Sequence, residues 1–316
     1  MAPGAAEKAS PPIRVTILHA SPCGRRRGQA GAERRCLFSP PNRLPPQNEN
    51  ETALKGGQFR FVFRSPEKPV FPFHLHRSRG PGKQQALLPQ PNKELPFVRA
   101  CSQNLPCHEV GGDYFDYFDL DEGRFCFTIG DVAGKGISAA LLASVVQGIF
   151  STQTFLDSPL TTIVSNLNRN LTKRGTGNRF VTSFFGILDK EGNCTYVNAG
   201  HNPPLLIHPD GTMRQLTEGG MVLGLFSGAQ YQSETVKLQP DDHLVLFTDG
   251  VVEALNAAGE EFGQDRVCAL LQANAGKPAP EMLACLREAV LSFSARAPQH
   301  DDITIMVLGF LEAVSR

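Results

Sequence analysis

The sequence predicts an α+β fold, a sheet core with helices packed outside. Two observations carry this: pairs of helix-period segments flank a run of short β-prone segments, and an apolar strand closes the chain. Phe125, Phe127 and Ile129 alternate with smaller or polar residues at strand period, and that strand is expected to stop at Gly130-Asp131. Ile137, Leu141, Leu142, Val145, Val146 and Ile149 then recur at helical spacing. A second helix is expected for Ile163, Leu167 and Leu171, behind the start signal Asp157-Ser158-Pro159. Residues 180–188, 195–198, 205–208, 231–238 and 243–247 read as antiparallel strands, separated by turns such as Lys190-Glu191-Gly192-Asn193 and Pro209-Asp210-Gly211. Helical period returns at 264–274 and 280–295, and 303–308 is the closing strand. No internal repeat is visible.

Length and charge divide the chain. Its 316 residues suffice for one large domain or two average ones. Residues 1–83 hold 15 Lys/Arg and 5 Glu with no Asp, a net +10, whereas 84–316 hold 16 Lys/Arg and 26 Asp/Glu, a net −10. Twelve of the 24 prolines also lie in 1–83. Proline at that density interrupts helices and ladders, and net charge opposes collapse, so a disordered basic segment is expected there. A solvated tail, a nucleic-acid or anionic-membrane contact through charge, and an over-extended start remain open as readings of it. Residues 84–97 read as a lead-in linker and 98–311 as the domain.

No run approaches the roughly 18 uninterrupted apolar residues of a membrane span, and no charged start precedes an apolar stretch, so no membrane insertion is expected. The eight cysteines form no Cys-x-x-Cys pair. Cys126 in a strand pattern, and Cys268 and Cys285 in helical patterns, are expected to be buried thiols, and a reducing cytoplasm fits them.

Four acidic positions fall beside apolar strands: Asp113 in Val110-Gly111-Gly112-Asp113, Asp131 in Gly130-Asp131-Val132-Ala133-Gly134-Lys135-Gly136, Asp249 in Phe247-Thr248-Asp249-Gly250, and the pair Asp301-Asp302. Asp and Gly are common turn residues, so any one of these alone means little. Together they would repel one another unless a cation joined them, and Mg²⁺ or Mn²⁺ prefers such oxygen ligands. The Gly130–Gly136 stretch resembles a phosphate-binding loop, but its spacing differs from Gly-x-x-x-x-Gly-Lys-Ser/Thr and Gly136 stands where the hydroxyl belongs. No Gly-x-Ser-x-Gly elbow and no Cys/His nucleophile pair is present. His201, in a Gly/Pro-bounded turn, is expected to hydrogen-bond the backbone and fix its loop.

Taken in order, Glu109-Val-Gly-Gly-Asp-Tyr-Phe-Asp116, Ile129-Gly-Asp-Val-Ala-Gly-Lys-Gly136 with Ala139-Ala-Leu-Leu142, Asn198-Ala-Gly-His-Asn-Pro-Pro204, Phe247-Thr-Asp-Gly-Val-Val-Glu253 and Asp301-Asp-Ile-Thr304 resemble the SpoIIE/RsbU-type serine phosphatases. These form the bacterial branch of the metal-dependent PPM (type 2C) phosphatases. The resemblance runs from about Gln84 to Phe310, with 84–89 similar to a helical lead-in, and residues 1–83 match nothing in it. It implies a PPM-type β-sandwich flanked by helix pairs, with two Mn²⁺ or Mg²⁺ ions at one edge. Asp131 would bridge both ions; Asp249 and Asp301 would complete one, and Asp113 with the Val132 carbonyl would help hold the other. Asp302 is the alternative to Asp301. Asp131 and Asp249 are the implied catalytic residues. Two cations about 3.5–4 Å apart acidify a shared water and neutralise the phosphoryl oxygens, with no covalent phosphoenzyme. Eukaryotic relatives carry a histidine where this chain has Ala133, so the acid for the leaving alkoxide is unassigned. Lys135 stands nearby as a loop lysine that could assist with the phosphate.

The resemblance further implies a protein-serine/threonine phosphatase acting on a phosphorylated STAS-domain anti-anti-sigma-like protein, under an upstream sensor of unknown identity, and it is compatible with a homodimer. The alternatives are a catalytically silent phosphatase-like signalling scaffold and a nucleic-acid binder resting on the basic tail alone, the weaker of the two.

Overall fold

Order in the chain explains the layers. In this computed structural model residues 88–174, 179–295 and 297–312 are described; the expectations for 1–83 and for 84–87 lie outside them. The elements are β1 (Asn92–Leu95), β2 (Val98–Leu105), β3 (Tyr114–Leu120), β4 (Arg124–Val132), α1 (Ile137–Thr154), α2 (Leu160–Arg174), β5 (Val181–Asp189), β6 (Asn193–Ala199), β7 (Leu205–Ile207), β8 (Met213–Gln215), β9 (Gly219–Gly220), β10 (Glu234–Lys237), β11 (His243–Phe247), α3 (Asp249–Val252), α4 (Gly263–Ala273), α5 (Ala279–Phe293) and β12 (Ile303–Phe310).

One six-stranded sheet runs β1-β2-β12-β11-β7-β8, and the second runs β10-β6-β5-β4-β3 with β9 parallel to β6. The alternation of β4 decides how they pack. Phe125, Phe127 and Ile129 join Phe184 and Tyr196 to face Leu244, Leu246, Met306 and Leu308 of the other sheet in an inter-sheet core. The opposite face of the β3-to-β6 sheet takes Val146 and Phe150 of α1 and Ile163, Leu167 and Leu171 of α2. The outer face of the first sheet takes α4 and α5 through Val267, Leu271, Met282, Leu286 and Val290. The result is a β-sandwich flanked by helix pairs. Large side chains fit between the sheets only where something gives way. A Cβ on Gly186 would lie 2.2 Å from Cζ of Phe127, so glycine here makes room for the ring.

Several boundaries differ from expectation. β4 continues through Asp131 to Val132 because β5 pairs with it to that point, Asp131 opposite Thr182. The strand expected at 231–238 is only Glu234–Lys237. β2 and β3 escaped the pattern reading because both faces of each are largely covered, which erases the alternation. Residues 92–95, within the stretch read as lead-in, form a strand on β2. Cys126 is buried, but Cys268 and Cys285 are only half-buried, Cys268 packing at the margin of the apolar layer of α4 and α5. Helix α1 has 18 residues and a mean hydropathy of 1.2, enough by length and composition to cross a membrane, although polar residues interrupt its apolar run. Here its Ala139, Ala143, Val146 and Phe150 pack on the sheet, while Ile137 and Leu141 are exposed.

Candidate metal centre

The acidic motifs meet because antiparallel pairing brings strand ends together. Tyr114 pairs with Gly130, so Asp113, one residue before β3, stands beside the end of β4 with Asp131 and Val132. Phe247 pairs with Ile305, so Thr248 and Asp249 after β11 stand beside Asp301, Asp302 and Thr304 at the start of β12. Asp249 is the first residue of α3 rather than a turn residue. These two strand pairs belong to different sheets, and the hydroxyls of the first sheet join them. Asp113, 2 % exposed, accepts hydrogen bonds at Oδ2 from Thr248 Oγ1 (2.7 Å) and Thr304 Oγ1 (2.5 Å).

Asp301 and Asp302 separate cleanly. Asp302 is buried, and its carboxylate accepts from the backbone N–H of Cys107 (2.8 Å) and of Gly112 (2.9 Å). It is committed to holding the loop before β3. Asp301 is partly exposed and pairs with Lys135 Nζ at 3.1 Å. The Lys135 ammonium also donates to the His300 carbonyl, which anchors the Gly134–Gly136 turn against the start of β12.

The electrostatics are those of buried carboxyl groups facing one another. Burial, then the charges of Asp249 and Asp301, push the Asp131 carboxyl up to about 7, against a hydrogen bond from Asp113 that pulls it down. Burial and the Asp131 charge hold Asp113 well above the carboxylate range. Burial and Asp301 raise Asp249. Glu253, on the same segment, is raised by burial and then by Asp249. Among the described residues no three acidic, His or Cys side chains close into a ready-made ligand cage.

The donor chemistry nonetheless fits a hard divalent cation. A Cβ on Gly112 would lie 2.7 Å from the Val132 carbonyl oxygen, 2.8 Å from Asp131 Oδ1 and 3.3 Å from the Gly134 carbonyl oxygen. Three oxygens therefore converge on space that glycine leaves free, the ligand type Mg²⁺ and Mn²⁺ take.

Sequence reasoning named the aspartates but not the threonines that clasp Asp113. The signal was present: each lies within a quoted motif, Thr248 directly before Asp249 and Thr304 two residues after Asp302. His201 meets the expectation in part, since its ring lies against the backbone of Phe247. Its loop is fixed by Asn198, whose Oδ1 accepts from the His201 N–H (2.7 Å) and whose Nδ2 donates to the His201 carbonyl (3.1 Å).

Two sheets between helix pairs, with an acidic edge where strands of both sheets end, define a PPM-type (type 2C) phosphatase fold. The family model described as Stage II sporulation protein E (SpoIIE) matches residues 121–311, and the chain belongs to that family. It is 30% identical over 229 residues to phosphoserine phosphatase RsbU of Bacillus subtilis, covering 71% of this chain and 67% of that protein. It is 26% identical over 262 residues to Protein IcfG of Synechocystis sp., covering 74% of this chain. The chain spans only 41% of the length of IcfG. The crystal structure of the RsbU and RsbW domains of Rv1364c from Mycobacterium tuberculosis is similar at a TM-score of 0.61 and 25% identity, over 70% of this chain and 62% of that one.

Proposed function

We propose that this chain is a metal-dependent protein-serine/threonine phosphatase that removes phosphate from phosphoserine on a STAS-like anti-anti-sigma regulatory protein. The observation that carries this reading is the oxygen cradle at Gly112 beside a carboxyl raised to about 7, a site built for positive charge. In this reading Asp131 would bridge two Mn²⁺ or Mg²⁺ ions, Asp249 and Asp301 would complete one site, and Asp113 with the Val132 carbonyl would support the other. Bound there, the cations would supply an acidified water and neutralise charge on the phosphoryl group. The chain's own residues supply position. Thr248 and Thr304 hold Asp113 in place, Asp302 holds the loop that carries it, and Lys135 pairs with Asp301. Ala133 offers no proton to the leaving serine oxygen. RsbU is named a phosphoserine phosphatase, which favours the same ester.

The test is phosphate release by the purified chain from an aryl phosphate and from a serine-phosphorylated STAS protein, with Mn²⁺, with Mg²⁺ and with excess chelator. Turnover of both substrates with metal and none with chelator is expected. Failure on both at every metal concentration favours the silent-scaffold reading. Turnover of the aryl ester alone leaves the chemistry standing and rejects the STAS substrate.

A further inference from the structure

His201 is 6 % exposed, and its Nε2 is buried without a hydrogen-bond partner among the described residues. Such an atom is costly, so its retention calls for a reason. The loop that carries it crosses from β6 to β7, that is, from one sheet to the other, at the edge where the aspartates gather. On one side, Nδ1 lies 3.2 Å from the hydroxyl of Thr182, whose residue pairs with Asp131 across β5 and β4. On the other, the ring faces the backbone of Phe247, two residues before Asp249, and β7 runs antiparallel to β11 there. Burial, opposed by that Phe247 contact, lowers the imidazole pKa to about 4, so the ring is neutral near pH 7 and adds no charge to the acidic edge.

We infer that His201 is a positioning residue that ties the strand bearing Asp131 to the strand end bearing Asp249 and so sets the spacing of the two carboxylates across the sheets. A neutral imidazole suits this task. It can accept from the Thr182 hydroxyl at Nδ1 and turn an N–H at Nε2 toward the Phe247 carbonyl, the acceptor the buried nitrogen otherwise lacks. Both contacts lie one step behind the acidic residues, so the ring acts through them and touches neither substrate nor ion. The inference rests on the metal-site reading above.

The test is a double-mutant cycle on the full chain with His201→Phe, which keeps a ring and removes its nitrogens, and Thr182→Val, which keeps the shape and removes the hydroxyl. Mn²⁺ binding is measured by calorimetry and folding by thermal melting. Groups that orient metal ligands typically cost about 10–100-fold in affinity when removed, so about tenfold weaker binding is expected of either variant. The double variant should lose little more than His201→Phe alone, because both changes break one tether. Folded variants that bind Mn²⁺ within about twofold of the unaltered chain, or losses that multiply independently, overturn the inference. If His201→Phe does not fold, Thr182→Val decides alone. An unaltered chain that binds no Mn²⁺ overturns the site reading and this inference with it, whereas normal binding by every folded variant overturns this inference only.

Discussion

The Asp302 carboxylate accepts a 2.9 Å hydrogen bond from the backbone N–H of Gly112, so a residue at the head of one sheet holds the loop that delivers Asp113 to the other. The same carboxylate accepts from the Cys107 N–H. Its neighbour Asp301 is partly exposed and faces Lys135. The two adjacent aspartates should therefore fail differently. Asp302→Ala orphans two backbone donors and should cost roughly 1–3 kcal/mol of stability. Asp301→Ala breaks a half-exposed ion pair, which contributes little, and should leave melting nearly unchanged while Mn²⁺ binding falls. Paired melting curves and metal titrations check this; the reverse pattern would make Asp302 the ligand.

Asp131→Asn should separate stability from chemistry. The carboxyl is held up to about 7 by burial and by Asp249 and Asp301, so its ionised form strains the metal-free fold. Removing the charge should leave the metal-free protein as stable as before or more so at pH 8. Phosphatase activity should drop by about 100-fold or more, as when a preorganised electrostatic group is lost. A folded Asp131→Asn chain that retains turnover would sink the bridging role.

Much of this site could be read in the sequence because its motifs combine local turn chemistry with apolar strands. Asp131 and Asp249 each lie within two residues of a buried run, and strand ends are where a sandwich exposes its functional edge. What escaped was non-local. The grip of Thr304 on Asp113 spans 191 residues, and no period in either segment encodes it. β2 was lost for a related reason: Val98 and Ala100 face the inter-sheet core while Cys101 and Leu105 face the layer of α4 and α5, and alternation vanishes where both faces are covered. The different surroundings of Asp301 and Asp302 were equally invisible, since they depend on which carboxylate the Gly112 amide reaches.

The acidic edge predicts an unusual pH dependence for the metal-free protein. Asp131 titrates at about 7 when folded and near 3.8 when not, so between those values the native state binds more protons. Stability must then fall as pH rises through that window, with Asp113 and Asp249 acting in the same direction. Below both values, and above about 7, this contribution is flat. Cation binding needs the ionised carboxylates, so Mn²⁺ should stabilise more as pH rises. Melting temperatures in chelator and in Mn²⁺, taken from pH 4.5 to 8 at constant ionic strength, should diverge with pH; parallel curves would contradict the cluster.

Two glycines offer the sharpest contrast between fold and site. At Gly186 an added methyl would meet Cζ of Phe127 at 2.2 Å within the inter-sheet core. Overpacking of that kind costs about 1–3 kcal/mol, so Gly186→Ala should lower the melting temperature and leave the metal requirement of the surviving fold unchanged. At Gly112 the methyl would meet the Val132 carbonyl oxygen at 2.7 Å and Asp131 Oδ1 at 2.8 Å. The Val132 oxygen belongs to the paired backbone of β4 and cannot swing aside as a side chain would. Relief must come from the Asp131 carboxylate, which would turn out of the oxygen cradle. Gly112→Ala should therefore weaken Mn²⁺ binding by about tenfold or more, the scale seen when ligand orientation is disturbed, with a smaller loss of stability than Gly186→Ala. Calorimetric titration beside thermal melting distinguishes the two, and a Gly112→Ala chain that melts early yet binds Mn²⁺ normally would remove the cradle from the metal site.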